Sequence, residues 1–420
     1  MATSASEMSA SGRLLPANWL KIISFIWGGQ AVSVLTTYAA GYASIWYFTE
    51  TTNSPLMLSV ATIAILLPTG LLSPYGGVLA DRFNRRTIMV LADGSVGLLS
   101  LVLGIVILLG EPSLALIMIL VLGRAVGQAF HGPAMTAAMP LLVPERHLLR
   151  INALDQILWG IGATIGPALG IFLYTTIGFS SVLFLDAAGA VVACLGLALA
   201  KIPTVRDESM QSRRMMANLL DGWQVIHRNK GLLVIFIFAT VGLILFMPVS
   251  ALFPLMTYSH FGGDGFMASL VEAVWGGCLL VGSGALLIWG GGRRLALLVV
   301  VAGIGIGLTT LFSGLLAPDQ FYVFLVLSGV MALFGAFFQG PLITIIQRES
   351  PEEKLGRVMG LSSAAMSLAP PIGLVVSGLI AEQTGVAWWF FISGLLITAA
   401  AVPAYFLKPL RELDEKMLRK

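Results

Sequence analysis

Four ionisable side chains stand inside long apolar runs of this sequence: Asp93, Arg124, His131 and Glu272. An ionisable group in such a run is costly to bury and is therefore a functional candidate. A carboxylic acid in apolar surroundings can load and release a proton, which makes Glu272 the first candidate for coupling and Asp93 the second. Arg124 stays charged in any setting. It either supplies a counter-charge to a coupling acid or satisfies backbone carbonyls and locks two helices together. His131 titrates near neutrality and lies at about the depth of Asp93, so the two could form a proton relay. A packed, hydrogen-bonded histidine is the plainer alternative. Asp155 and Asp186 fall nearer the ends of their runs, where capping or packing is expected. No Cys or His spacing suits a metal, and no cofactor is indicated.

The elements that must position these groups follow from composition. The chain is 57% hydrophobic and only 11% charged, far from a soluble domain of 420 residues. Apolar runs of about 20 residues recur along it, each long enough to cross a bilayer as a helix. None alternates with period two, which argues against a barrel. Breaks at Gly, Pro and charge clusters give twelve spans, at 21–48, 56–80, 87–109, 113–138, 151–176, 181–201, 231–257, 265–290, 295–316, 320–346, 356–383 and 387–408. Of the 24 Lys and Arg, all but Arg124 lie in or at the edge of the N-terminal stretch, the even-to-odd loops, the central segment or the C-terminal tail. Positive charge marks the cytoplasmic side, so both termini are expected there. The polar start has no signal-peptide pattern, so the first run is expected to remain as a span. Cys194 and Cys278 fall inside apolar runs and indicate no disulfide framework.

The chain is built twice. GQAFHGP at 127–133 returns as GAFFQGP at 335–341; Arg150 is matched by Arg357, PALG (167–170) by PPIG (370–373), and IGF (177–179) by TGV (384–386). Four echoes in one order indicate duplication, with Gly132-Pro133 and Gly340-Pro341 as a repeated helix bend. The expected organisation is an N-terminal six-helix bundle (1–201), an amphipathic linker (202–230) and a C-terminal six-helix bundle with a tail (231–420). Trp223, Val225 and Ile226 give the linker apolar anchors.

Two motifs carry a family resemblance. GGVLADRFNRR (76–86) resembles the G-x-L-A-D-R-x-G-R-R signature of the major facilitator superfamily, with Asn84 where that pattern has Gly. Asn also tolerates a left-handed turn. The resemblance implies a gating loop of Gly77, Asp81, Arg82, Arg85 and Arg86, in which Asp81 latches near the start of the eleventh span. The other reading is that the arginines only fix topology. GIGATIGPALG (160–170) resembles the family's antiporter motif, with Ile171 in place of its last Gly. There Gly162, Gly166 and Gly170 make a flat groove and Pro167 bends the helix. The resemblance associates this motif with export, whereas helix packing alone accounts for it equally well.

Stretches such as IWGGQAVSVLTT (26–37), FHGPAMTAAMPLLVPE (130–145) and MPVSALFPLMTYSHF (247–261) are similar to macrolide-efflux proteins of the drug-antiporter branch. The resemblance implies an all-α polytopic membrane protein: twelve transmembrane helices in two pseudo-symmetric six-helix bundles, the major facilitator fold. It implies proton-driven export of a bulky amphipathic compound by alternating access, from a functional monomer in the bacterial cytoplasmic membrane. Related proteins export siderophores or move lysophospholipids, and these remain open alternatives, with a non-transporting sensor more remote. Trp27, Gln30, Ser33 and Tyr38 on the first span are candidates for a substrate pocket. Trp46 and Tyr47 read as interfacial belt residues. No ATP-binding loop, dinucleotide motif or hydrolase motif is present, no nucleic-acid partner is indicated, and no enzyme is expected.

Overall fold

The computed structural model describes residues 19–110, 112–199 and 215–419. Fifteen helices are found among them: α1 (Trp19–Thr52), α2 (Pro55–Arg82), α3 (Arg85–Leu109), α4 (Leu114–Leu142), α5 (Glu145–Ile177), α6 (Phe179–Leu199), α7 (Met215–Arg228), α8 (Lys230–Ala251), α9 (Phe253–Leu255), α10 (Gly265–Trp289), α11 (Leu295–Gly314), α12 (Phe321–Glu349), α13 (Leu355–Thr384), α14 (Val386–Phe406) and α15 (Lys408–Arg419). Twelve of them, α1–α6, α8 and α10–α14, are long and apolar enough to cross a membrane. Helices are the only open-ended answer to a solvent that offers the backbone no hydrogen bonds. The expected spans sit on these helices, several of which run longer, such as α1 at 34 residues.

One span departs from expectation. The run 231–257 is not a single helix: α8 contains Pro248 and stops at Ala251, the three residues of α9 follow, and Met256–His260 form a π-helical turn. Pro248 and Pro254 each lack an N–H, so the ladder has lost donors at two points near the break, although α2 keeps a continuous helix across Pro68 and Pro74. His260 anchors the rewound end, its Nε2 lying 2.8 Å from the Leu316 carbonyl.

By contact density the chain divides into a first unit, Met1–Tyr47 with Ala64–Met210, and a second, Phe48–Ile63 with Gln211–Lys420. Inside each, helices approach where side chains are smallest, as expected when lipid supplies no hydrophobic drive. In the first unit a Cβ on Gly97 would strike Ala190, and one on Gly104 would strike Phe184, fixing α3 against α6. In the second unit Gly307 meets Thr398 and Gly394 meets Leu311, fixing α11 against α14.

Of the expected linker, residues 202–214 lie outside the described residues, and the rest forms α7. Its Asp221 pairs with Arg357 at the start of α13, Gly222 abuts the Arg357 backbone, and Ile226 is fully buried. The C-terminal tail is also helical. KPLRELDEKMLR buries Leu410 and Leu413 on one face of α15. Asp414 on that face accepts hydrogen bonds from Ala296 N (2.9 Å) and Leu297 N (3.0 Å), capping α11. Lys416 reaches Glu349 at 2.6 Å, and Glu349 also accepts from Asn229, the cap of α8.

Candidate functional site

The first unit holds two buried polar networks. In one, Asp93 on α3 is 7% exposed and His131 on α4 is 4% exposed. His131 Nδ1 lies 2.9 Å from Asp93 Oδ1, within ion-pair distance. Gln30 on α1 donates to Asp93 Oδ2 at 2.9 Å. Asp155 on α5 is half-buried and close enough to His131 for their charges to act on one another. Next to these, the ring of Trp159 lies 6.5 Å from His131 and 6.3 Å from Tyr38, edge-on to the latter. The arrangement pairs an imidazole with the Asp93 carboxylate, which is suited to holding and passing a proton.

In the other network, Asp186 on α6 is fully buried and accepts from Arg124 Nη2 (2.7 Å), Ser100 Oγ (2.6 Å) and Thr37 Oγ1 (2.7 Å). Three donors from α4, α3 and α1 converge on one carboxylate. Arg124 thus supplies a counter-charge, although to Asp186 rather than to Asp93. Asp186 serves no helix end; it is a hub that fixes four helices, and an ion pair satisfied in this way is expensive to break.

Glu272 on α10, in the second unit, is 5% exposed and has no hydrogen-bond or ion-pair partner among the described residues. One turn on, Trp275 stacks with Phe246 (5.8 Å) and meets Phe253 edge-on (5.3 Å). Phe253 in turn contacts Phe324 and Phe390, so the acid stands beside an aromatic core.

The loop motif resolves into separate jobs. Asn84 has φ −65° and caps α3, its side chain accepting from Arg86 N; no left-handed turn is used. Arg86 donates to the Ala198 carbonyl at 2.6 Å, where the end of α6 favours positive charge. Arg85 is buried and Arg82 ends α2. The side chain of Asp81 lies outside the described residues. Close helix contact falls on Gly76, where a Cβ would press on Pro133 and Ala129 of α4, while Gly77 has open space around it.

The antiporter-like motif is a packing surface for α1. Side chains at Gly162 or Gly166 would overlap Tyr38, and one at Gly170 would strike the Ala39 carbonyl. The repeat is matched in the second unit, where Gly373 of PPIG abuts the Ile244 carbonyl of α8. Pro167 sits inside an unbroken α5.

Of the substrate-pocket candidates, Gln30 is committed to Asp93 and Ser33 is buried beside Gly189 of α6. Tyr38 packs on the α5 glycines and Trp159. Trp27 leans on the cluster of Ile23, Met89 and Met135, and its buried Nε1 has no hydrogen-bond partner among the described residues. Trp46 is 1% exposed, so it is covered by protein and is not at a lipid interface; Tyr47 stacks on Phe179 at 5.0 Å. Sequence reasoning missed Ser100 and Thr37, since a hydroxyl in an apolar run can always bond its own helix.

The sequence pattern of the Major Facilitator Superfamily matches residues 26–315 and 289–419. Macrolide efflux protein A of Streptococcus pyogenes is 34% identical over 95% of this chain and 99% of its own. Its namesake in Enterococcus faecalis is 33% identical over 77% of this chain and 100% of its own. The multidrug efflux pump Tap of Mycolicibacterium fortuitum is 24% identical over 88% and 91%. In fold, a crystal structure of the nucleoside transporter NupG is similar with a TM-score of 0.66 at 16% identity, over 94% of this chain and 98% of that one. A POT family transporter in complex with a thioalcohol-conjugated peptide gives 0.69 at 12%, over 93% and 96%.

Proposed function

This chain belongs to the major facilitator superfamily, and we propose from that premise that it exports a macrolide-like, bulky amphipathic drug against a proton gradient. As a multi-pass member of that family it is a membrane transporter and not an enzyme. The observation that carries the drug reading is the likeness to macrolide efflux protein A along nearly the whole of both chains. Proton coupling is supported by the Asp93–His131 pair, a titratable contact buried between helices, with Glu272 as a second acid free to take a proton. In this reading the protein works as a monomer in the bacterial cytoplasmic membrane with both termini cytoplasmic. It moves by alternating access, with Asp81 acting in the gating loop, and it needs no cofactor beyond the proton gradient.

The test is export of labelled erythromycin from cells or proteoliposomes, with and without a protonophore. Wild type should export in a way that the protonophore abolishes. His131→Gln should lower gradient-driven export about a hundredfold, the lower end of the usual contribution of a positioned acid or base, while the amount of folded protein is unchanged. Glu272→Gln should do likewise if both acids serve. Export that survives the protonophore would remove the coupling, and no macrolide export at all would remove the substrate.

A further inference from the structure

Beyond the first and last six residues of each helix of the first unit, which sets aside Arg150 near the start of α5, the charged residues do not balance. The described acids there are Asp93, Asp155 and Asp186, and the described bases are Arg124 and His131. Arg124 is taken by Asp186 and His131 by Asp93. Asp155 is left over: its carboxylate feels His131 only through space and makes no hydrogen bond or ion pair among the described residues. Unlike the other two acids, it is half-buried and so within reach of a ligand. A carboxylate at membrane depth without a fixed partner calls for a mobile cation.

The surroundings say which kind. Trp159 stands one helical turn from Asp155, on the same face of α5, and is itself half-buried. Tyr38 closes on it edge-to-face at 6.3 Å, held there by Gly162 and Gly166. An acid one turn from an indole, which itself meets a phenol ring edge-on, is the chemistry that recognises an organic ammonium group, by charge and by an aromatic face together. A metal ion would want several oxygens, and an anion would be repelled.

We infer that Asp155, Trp159 and Tyr38 form a subsite of the first unit for the protonated amine of a lipophilic cationic substrate. For a macrolide, that group is the dimethylamino nitrogen of its amino sugar. The inference rests on the export reading for the choice of macrolide, but the site itself would bind other lipophilic amines and onium ions.

The experiment measures equilibrium binding to the purified full-length protein in nanodiscs. The probes are erythromycin and its N-demethyl-N-acetyl derivative, in which the amine is an uncharged amide. Wild type should prefer the amine by about tenfold, the range expected for a partly desolvated cation on a ring and a carboxylate. Asp155→Asn should bring that ratio close to one by weakening the amine alone. Unchanged binding of the amide shows at once that the variant is folded. Trp159→Leu should reduce the preference in part. If Asp155→Asn keeps the full preference, the subsite is wrong and Asp155 merely holds a proton. If wild type binds neither macrolide, the substrate reading fails by itself, and tetraphenylphosphonium decides the subsite. Binding to wild type that is lost in Asp155→Asn upholds it, and binding equal in both, or to neither, overturns it.

Discussion

The two units share their packing and divide their chemistry. With GQAFHGP and its echo as the register, 208 residues apart, Asp93 corresponds to Val301, Arg124 to Ala332 and His131 to Gln339. With the Arg150–Arg357 register, 207 residues apart, Asp155 corresponds to Ser362 and Asp186 to Ser393. Each of these five charged or titratable positions of the first unit is neutral in the second. Conversely, Glu272 corresponds to Ala64. Yet the contacts persist where the charges do not. Thr37 on α1 donates to Asp186 on α6 at 2.7 Å, and in the second unit Ser393 on α14 donates to Leu245 on α8 at 2.8 Å. Duplication preserved the helix neighbours, and divergence then left the ionic hub in one copy and an aromatic core in the other.

The largest effect should come from putting the second unit's neutrality into the first. Arg124→Ala leaves Asp186 buried without its counter-charge and should cost about 3–5 kcal/mol of stability, read as unfolding in detergent. Arg124→Met combined with Asp186→Ser imitates the neutral copy and should recover most of that loss. A single variant no less stable than the double would show that the pair is not what holds α4 to α6. Next come the shared glycines. Gly170→Val and Gly373→Val each push a side chain against a carbonyl and should each cost about 1–3 kcal/mol. Sensitivity at only one of the two sites would break the packing symmetry.

The smallest effect concerns how equivalent helices are capped. α3 is capped by Asn84, two residues from the N–H it serves, while α11 is capped by Asp414 from the far end of the chain. Asn84→Ala and Asp414→Ala should each cost about 1 kcal/mol, but only the second should alter the pH profile. Burial holds the Asp414 carboxyl above its usual range, outweighing the Ala296 and Leu297 N–H donors and nearby Arg294, which pull it down. The folded chain therefore keeps this proton to higher pH than the unfolded one. Its contribution is complete below the unfolded value of about 4 and is lost as pH rises toward the folded value. Asp414→Asn should flatten that part of the stability curve, and a slope equal to wild type would assign it to another group.

Hydropathy made the twelve spans legible because lipid imposes a length and a composition on every crossing. It could not show the break at α8, since prolines are commonly tolerated inside a span, as Pro68 and Pro74 are in α2. Depth along a helix placed Asp93 near His131, but depth does not say which helices are neighbours. For Asp186 the sequence therefore leaves both capping and packing open, and its position on α6, turned toward α3, α4 and α1, selects packing. Gly76 and Gly77 are alike in sequence, and only their rotation around α2 separates the packed one from the open one. The amphipathic pattern of α15 was readable in KPLRELDEKMLR, where leucines three apart alternate with charge.

The cap on α11 also sets an order of assembly. In the first unit, α3 can close its start as soon as Asn84 and Arg86 have been made. In the second, α11 must wait for Asp414, 118 residues after Ala296. A chain still on the ribosome holds a finished first unit and an unfinished second one, since domains form in the order in which they are synthesised. Loss of the last dozen residues to a premature stop would leave the second unit with an open helix end, and cellular quality control would meet the defect there.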